Sequence, residues 1–228
     1  MALIAVMTAS TLLLALGLSL ALTTTVETGI AANHRDGLQS LHAADAALER
    51  AVAELAATPD WDAVLAGAVT ATFNDGRGAG IVGLPDGSAL DLAGETNRLR
   101  CGTRAACGDA DMDVVAAARP WGRNNPRWQI YACGPLAQLL PDAAIASRAY
   151  VIVWVADDPS ENDADPRRDG QPPAVVDPRN PGNPGRGALW LHARAYGVGS
   201  RRTIDAIVER DARSPASRLR IRVWRETT

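Results

Sequence analysis

From Met1 to Val26 the chain is predominantly apolar, a stretch of 26 residues without a charged side chain. At ~1.5 Å of rise per helical residue, this is long enough to cross a hydrocarbon core of ~30 Å. Leu3, Ile4, Leu12, Leu13, Leu14, Leu16, Leu18, Leu20 and Leu22 supply most of its apolar surface. After Glu27 the pattern changes instead of stopping. Ile30, Leu38, Leu41, Leu48, Val52 and Leu55 recur at helical spacing, and Arg35, Asp36, Gln39, Asp45, Glu49, Arg50 and Glu54 fall mostly between them. One helix is therefore expected to about Thr58, apolar all round in its first half and one-sided in its second. Thr58-Pro59-Asp60 ends it, because a residue before proline is pushed out of the α region. Asp60 is placed to cap a short helix at Trp61–Leu65. Gly17, Gly29 and the β-branched run at 23–26 are weak helix formers, so bending or partial unwinding is expected between Gly17 and Gly29.

The rest of the chain alternates with a period of two. Segments 127–133, 149–155, 188–197, 203–208 and 219–224 each read as strands, and the last places its arginines on one face. A hairpin turn is expected at 197–202. Between helix and strands, residues 66–127 are rich in turn chemistry and read as a loop-rich connector, with short strands near 69–73 and 90–92. The fold class expected is α+β: a long N-terminal helix on an antiparallel sheet of about four to five strands, with loop-rich insertions. Residues 1–58 form the helical unit and 59–228 a globular head. Within the head, 157–187 is a proline-rich acidic insertion that cannot pack a core of its own.

Charge and cysteines narrow the chemistry. The net charge of -3 carries no polyanion-binding signature, so nucleic acid is not an expected partner. Cys101, Cys107 and Cys133 suit an exported protein with one disulfide and one spare thiol, and three pairings are open. No nucleophile elbow, phosphate loop or H-E-x-x-H occurs, so no catalytic residue is assigned. His34, His42 and His192 read as structural or surface residues, and the tryptophans as packing between helix and sheet. The acidic insertion has two readings. One is a solvated loop; the other is a calcium site built from Asp157, Asp158, Glu161, Asp163 and Asp165, since calcium takes six to eight oxygen ligands. No other cofactor is expected.

Three segments carry a family resemblance. Met1-Ala2-Leu3-Ile4-Ala5-Val6, Glu27-Thr28-Gly29-Ile30-Ala31-Ala32-Asn33 with Arg35-Asp36, and Ala43-Ala44-Asp45-Ala46-Ala47-Leu48 resemble the amino-terminal region of type IV pilins and pseudopilins, closest to PilX-type minor pilins. The strands at 188–197 and 203–208 look like the final meander of that family, less specifically. The resemblance implies a pilin-like fold and a precursor in a bacterial inner membrane, trimmed by a prepilin peptidase and methylated at Met1. It implies assembly by an inner-membrane platform into an extracellular filament, with other pilin subunits as partners through the helix. Ala5 stands where most major pilins carry glutamate, and Ala21-Leu22-Thr23 where a helix-breaking proline is usual. The first departure leans towards a minor or tip role, in assembly or adhesion.

Two functions are therefore compared. The first is a structural filament subunit, minor or else major. The second is a membrane-anchored exported binding protein whose acidic loop holds calcium. An enzyme is not expected.

Overall fold

The computed structural model describes residues 2–117, 126–139, 147–158, 165–170, 187–210 and 219–227. Helix α1 (Ala2–Ala57) is one uninterrupted hydrogen-bonded element of 56 residues, ~84 Å long. The unwinding expected between Gly17 and Gly29 does not occur. The threonines settle instead into the helix, Thr23, Thr24, Thr25 and Thr28 each donating a hydroxyl hydrogen bond to the carbonyl four residues back, at 2.7–3.0 Å. At the other end Asp60 accepts from the Ala63 amide at 3.2 Å and starts α2 (Trp61–Leu65), as expected.

The connector holds more structure than turn chemistry suggests. It contains a hairpin of β1 (Ile81–Gly83) and β2 (Ala89–Asp91), followed by α3 (Leu92–Cys101) and α4 (Asp109–Ala117). Both helices lack an apolar stripe, so periodicity could not mark them. Their ends are set by single residues: Asp91 caps the Ala93 amide, and Gly102 closes α3 in the left-handed region at φ 73°. Residues 69–73 are not a strand. The 71–75 segment nonetheless lies along the sheet edge, with the Ala71 amide bonded to the Tyr131 carbonyl and the Asp75 amide to the Cys133 carbonyl.

The main sheet is antiparallel throughout, in the order β3 (Gln129–Pro135), β4 (Tyr150–Asp157), β5 (Ala188–Tyr196), β6 (Arg201–Arg210) and β7 (Leu219–Thr227). All five strands read from the sequence are present. The strict alternation expected in the last is broken, because a bulge opposite Ile207 and Val208 inserts one residue. The bulge keeps Arg220, Arg222 and Arg225 on one face, where Arg222 faces Glu209 and Arg225 faces Asp205. It also turns Trp224 to the opposite face, towards α1.

Two cores share this sheet. In front, the small-residue face of α1 (Ala43, Ala44, Ala47, Leu48, Ala51, Leu55) packs on Val151, Val153, Val155, Leu191, Ile204 and Val208, with Trp61 and Leu65 closing the end. Behind, Val82, Leu90 and Leu92 pack on Ile152, Trp154 and Trp128. Strand β4 is consequently buried along its whole length.

Strand β6 runs along α1 in the same direction. At its start the Ser200 hydroxyl bonds the Asp36 carbonyl at 2.9 Å and meets the Ser40 hydroxyl at 2.6 Å. At its end Arg210 bonds the carbonyls of Thr58 and Pro59 and stacks 4.0 Å from the Trp61 ring centroid. Gly197 is required at the first of these contacts, since a Cβ there would collide with the Ser40 hydroxyl.

Leu48→Ala is expected to destabilise the head by about 2–5 kcal/mol. The check is the melting temperature of the full chain in detergent. An unchanged value would mean that α1 contributes nothing to the head's core.

Candidate functional site

Half of α1 is part of the head and half is not. From Gly37 to Leu55 one face is buried on the sheet. Towards the N-terminus, Leu3, Ile4, Leu12, Leu13, Leu14, Leu16, Leu18, Leu20 and Leu22 are all exposed, each with at least 60% of its surface uncovered. The helix is long and apolar enough to cross a membrane: its most apolar window has a mean hydropathy of 2.2 and no residue buried against the head. Leaving this surface in water opposes a driving force of about 25 cal/mol per Å². This uncovered apolar surface is the candidate site. Met1 lies outside the described residues.

A second polar site sits behind the sheet. Glu95 on α3 is 2% exposed, and its two carboxylate oxygens accept from Arg104 at 2.6 Å and Arg194 at 2.8 Å. Arg194 also lies 5.5 Å from the Trp154 ring centroid and donates to His192 Nε2 at 3.1 Å. His192 Nδ1 donates in turn to Asp205 at 2.6 Å, and Arg225 reaches the other Asp205 oxygen at 3.2 Å. An arginine can only donate, so these partners fix a neutral imidazole with its proton on Nδ1. Burial lowers the proton affinity of His192, and the nearby Arg194 charge adds to the effect. For Asp205 burial acts upward, but the hydrogen bond from His192 and the contact with Arg225 outweigh it and hold the carboxyl below its usual range. Both ring nitrogens are thus engaged, and the ring works as a structural link between β5 and β6.

Cys101 and Cys107 form the disulfide, which resolves the three open pairings, and Cys133 is free and buried. The small disulfide loop carries Arg104, so the bridge delivers one of the two cations on Glu95. The Cys133 thiol is pushed up to about 12 by burial first and by Asp75 beside it. At neutral pH it stays protonated and is a poor nucleophile.

The five residues proposed for calcium are only partly described. Asp157 and Asp158 are buried where β4 ends, Asp165 forms an ion pair with Arg168 at 3.6 Å, and Glu161 and Asp163 lie outside the described residues. Among the described residues, no group of three or more His, Cys, Asp or Glu side chains is placed to hold a metal. His34 and His42 are exposed on α1. Of the tryptophans, Trp61 packs between helix and sheet, but Trp128, Trp154 and Trp190 pack behind the sheet, Trp224 is on the surface, and Trp121 lies outside the described residues.

Sequence reasoning missed Glu95, Arg104 and Asp205. One signal was available. With the hairpin turn centred on Val198 and Gly199, His192 and Asp205 become direct cross-strand partners, an acid opposite a histidine on one face. No sequence signal links Glu95 to Arg194, 99 residues apart.

Comparison with protein-family models, curated proteins and solved structures found no match.

The histidine link carries a pH dependence. Its folded-state proton affinity lies below the ordinary value of 6.5, so on acidification the unfolded chain takes up the proton first. This contribution to stability is full above pH 6.5 and is lost as pH falls below it. The melting temperature of the full chain in detergent is expected to drop as the pH is taken below 6.5. His192→Gln should flatten that segment of the profile; an identical slope in the variant would assign the pH dependence to other groups.

Proposed function

We propose that this chain is a structural subunit of a type IV pilus-like filament, a minor or tip component that promotes assembly or adhesion. One observation carries the reading. A single rigid helix is clamped to the head over residues 37–55 and projects an uncharged, uncovered apolar half beyond it. In lipid that half is solvated by acyl chains. In water it is stable only when similar helices surround it, and a change of surroundings from bilayer to helix bundle is the physical basis of filament growth. The resemblance of the first 55 residues to PilX-type pilins agrees with this arrangement, and Ala5 favours the minor role.

On this reading the precursor sits in a bacterial inner membrane, where a prepilin peptidase trims it and Met1 is methylated. An assembly platform then moves it into an extracellular filament beside other pilin subunits. Its work is mechanical rather than catalytic, and the buried ion network gives the head a fixed shape to present.

The test is quantitative peptide analysis of filaments sheared from the producing cell. The expected result is a trace component with a methylated Met1. Leu13→Arg should lower its recovery in filaments by at least about tenfold, since a cation at the centre of an apolar helix costs ~2.5–3.5 kcal/mol. Normal recovery of that variant, or absence of the wild-type chain from filaments, would overturn the proposal.

A further inference from the structure

Helix α3 is held on the back of the sheet by few apolar contacts. Of its ten residues, Leu92 is buried and Leu99 half-buried against the rear core. The other fixings are polar. Thr96 accepts from the Trp154 indole at 2.9 Å, Arg100 donates to the Trp128 carbonyl at 2.7 Å, and Glu95 accepts from Arg194 on β5 at 2.8 Å. Glu95 is buried at this contact, and a carboxylate taken out of water has to be matched by cations and hydrogen bonds. Arg194 supplies one cation from the sheet, but its guanidinium is shared with His192 Nε2 and the Tyr196 hydroxyl. The second cation, Arg104, comes from the disulfide loop and reaches the other carboxylate oxygen at 2.6 Å.

Arg104 sits on the outside of the molecule. Gly102, Thr103, Arg104, Ala105 and Ala106 are all exposed, and the Arg104 side chain keeps 64% of its surface uncovered. Holding a long exposed side chain in one place costs rotamer entropy. Here the loop that carries it is fixed at both ends. Gly102 turns the chain back at φ 73°, and Cys107 is bonded to Cys101 across a Cα–Cα distance of 6.2 Å. Both of these cysteines are half-buried, within reach of a small dithiol, whereas the third, Cys133, is fully buried. Thiol exchange is therefore confined to one bond, the one that places Arg104.

We propose that the Cys101–Cys107 bond is a redox latch on the back layer: it holds Arg104 against buried Glu95, and its reduction undocks α3 from the sheet. The inference stands independently of the assembly reading above. A dithiol reductant delivers two electrons and two protons to the bridge; the S–S bond breaks, each cysteine ends as a thiol, and the reductant closes its own disulfide. The loop is then free to carry Arg104 away, and Arg194 is left to serve Glu95 alone. Taking one partner from a buried charge leaves that charge undercompensated, and undocking α3 returns it to water. Helix α3 follows β2 without a break, and the Leu92 amide bonds the Gly80 carbonyl, so hairpin and helix move as one unit. The front core lies on the opposite face, where Ala43, Leu48 and Leu55 pack, and it stays closed. Reduction thus yields a partly open head. A bridge acting on chain entropy alone would be indifferent to the charge on Glu95.

The experiment measures amide hydrogen exchange along the full chain in detergent, with the bridge intact and after treatment with dithiothreitol. In the wild type, reduction is expected to speed exchange across residues 81–101 by at least about tenfold, with little change across 43–55 and 150–156. Glu95→Gln removes the charge that needs Arg104, so reduction of that variant should speed the same amides by less than about threefold. Arg104→Ala with its bridge intact should already exchange like the reduced wild type and gain little more on reduction. Since Arg104 is exposed, this variant keeps the test decisive if Glu95→Gln does not fold. Unchanged exchange in the reduced wild type, opening of the front core together with α3, or an equal response to reduction in the wild type and Arg104→Ala would overturn the latch.

Discussion

Alanine and glycine leave little depth between a helix and the sheet it covers, so the two backbones approach closely and the helix has few ways to shift. That constraint governs this molecule. Gly37, Ser40, Ala43, Ala44, Ala47 and Ala51 form the contact stripe of α1, with Leu48 and Leu55 as the large residues that set its register. The Ser200 contact at one end and the Arg210 contact at the other hold the helix along β6. With residues 37–55 packed on the sheet and α1 unbroken, the apolar half continues along the same helix axis, away from the head.

The sheet serves two masters. Its front face is filled by α1, leaving β1, β2 and α3 to close the back. The back holds a smaller apolar core with an ion network beside it. Glu95 is affordable there only with both arginines in place, since removing one partner of a buried pair costs several kcal/mol. One of those partners, Arg104, sits in the loop closed by Cys101 and Cys107. The disulfide thus acts on the electrostatics of the back layer as well as on chain entropy.

What could be read from the sequence divides along physical lines. Period-two alternation marks strands whose faces differ, and all five strands of the main sheet were legible from it. The α1 boundary was legible because Thr58-Pro59-Asp60 combines a steric stop with a cap. Helices α3 and α4 were not, because LAGETNRLRC and DADMDVVAA owe their helicity to end residues and tertiary packing more than to an apolar stripe. The threonine run misled for a local reason: β-branching argues against a helix, but each hydroxyl found a carbonyl one turn back. At the candidate site, the apolar rod was visible residue by residue. The face that Trp224 takes was hidden by one bulge, which reverses the sides that strict alternation assigns to Trp224 and Arg225.

The direction of β7 has a consequence for solubility. A bare strand invites a second bare strand, and antiparallel pairing is the commoner choice. Since β7 runs opposite to α1, two heads joined antiparallel through β7 would point their helices in opposite directions. Chains rooted in the same membrane all point one way. On the filament reading, anchorage in one membrane would therefore forbid the symmetric edge-to-edge dimer.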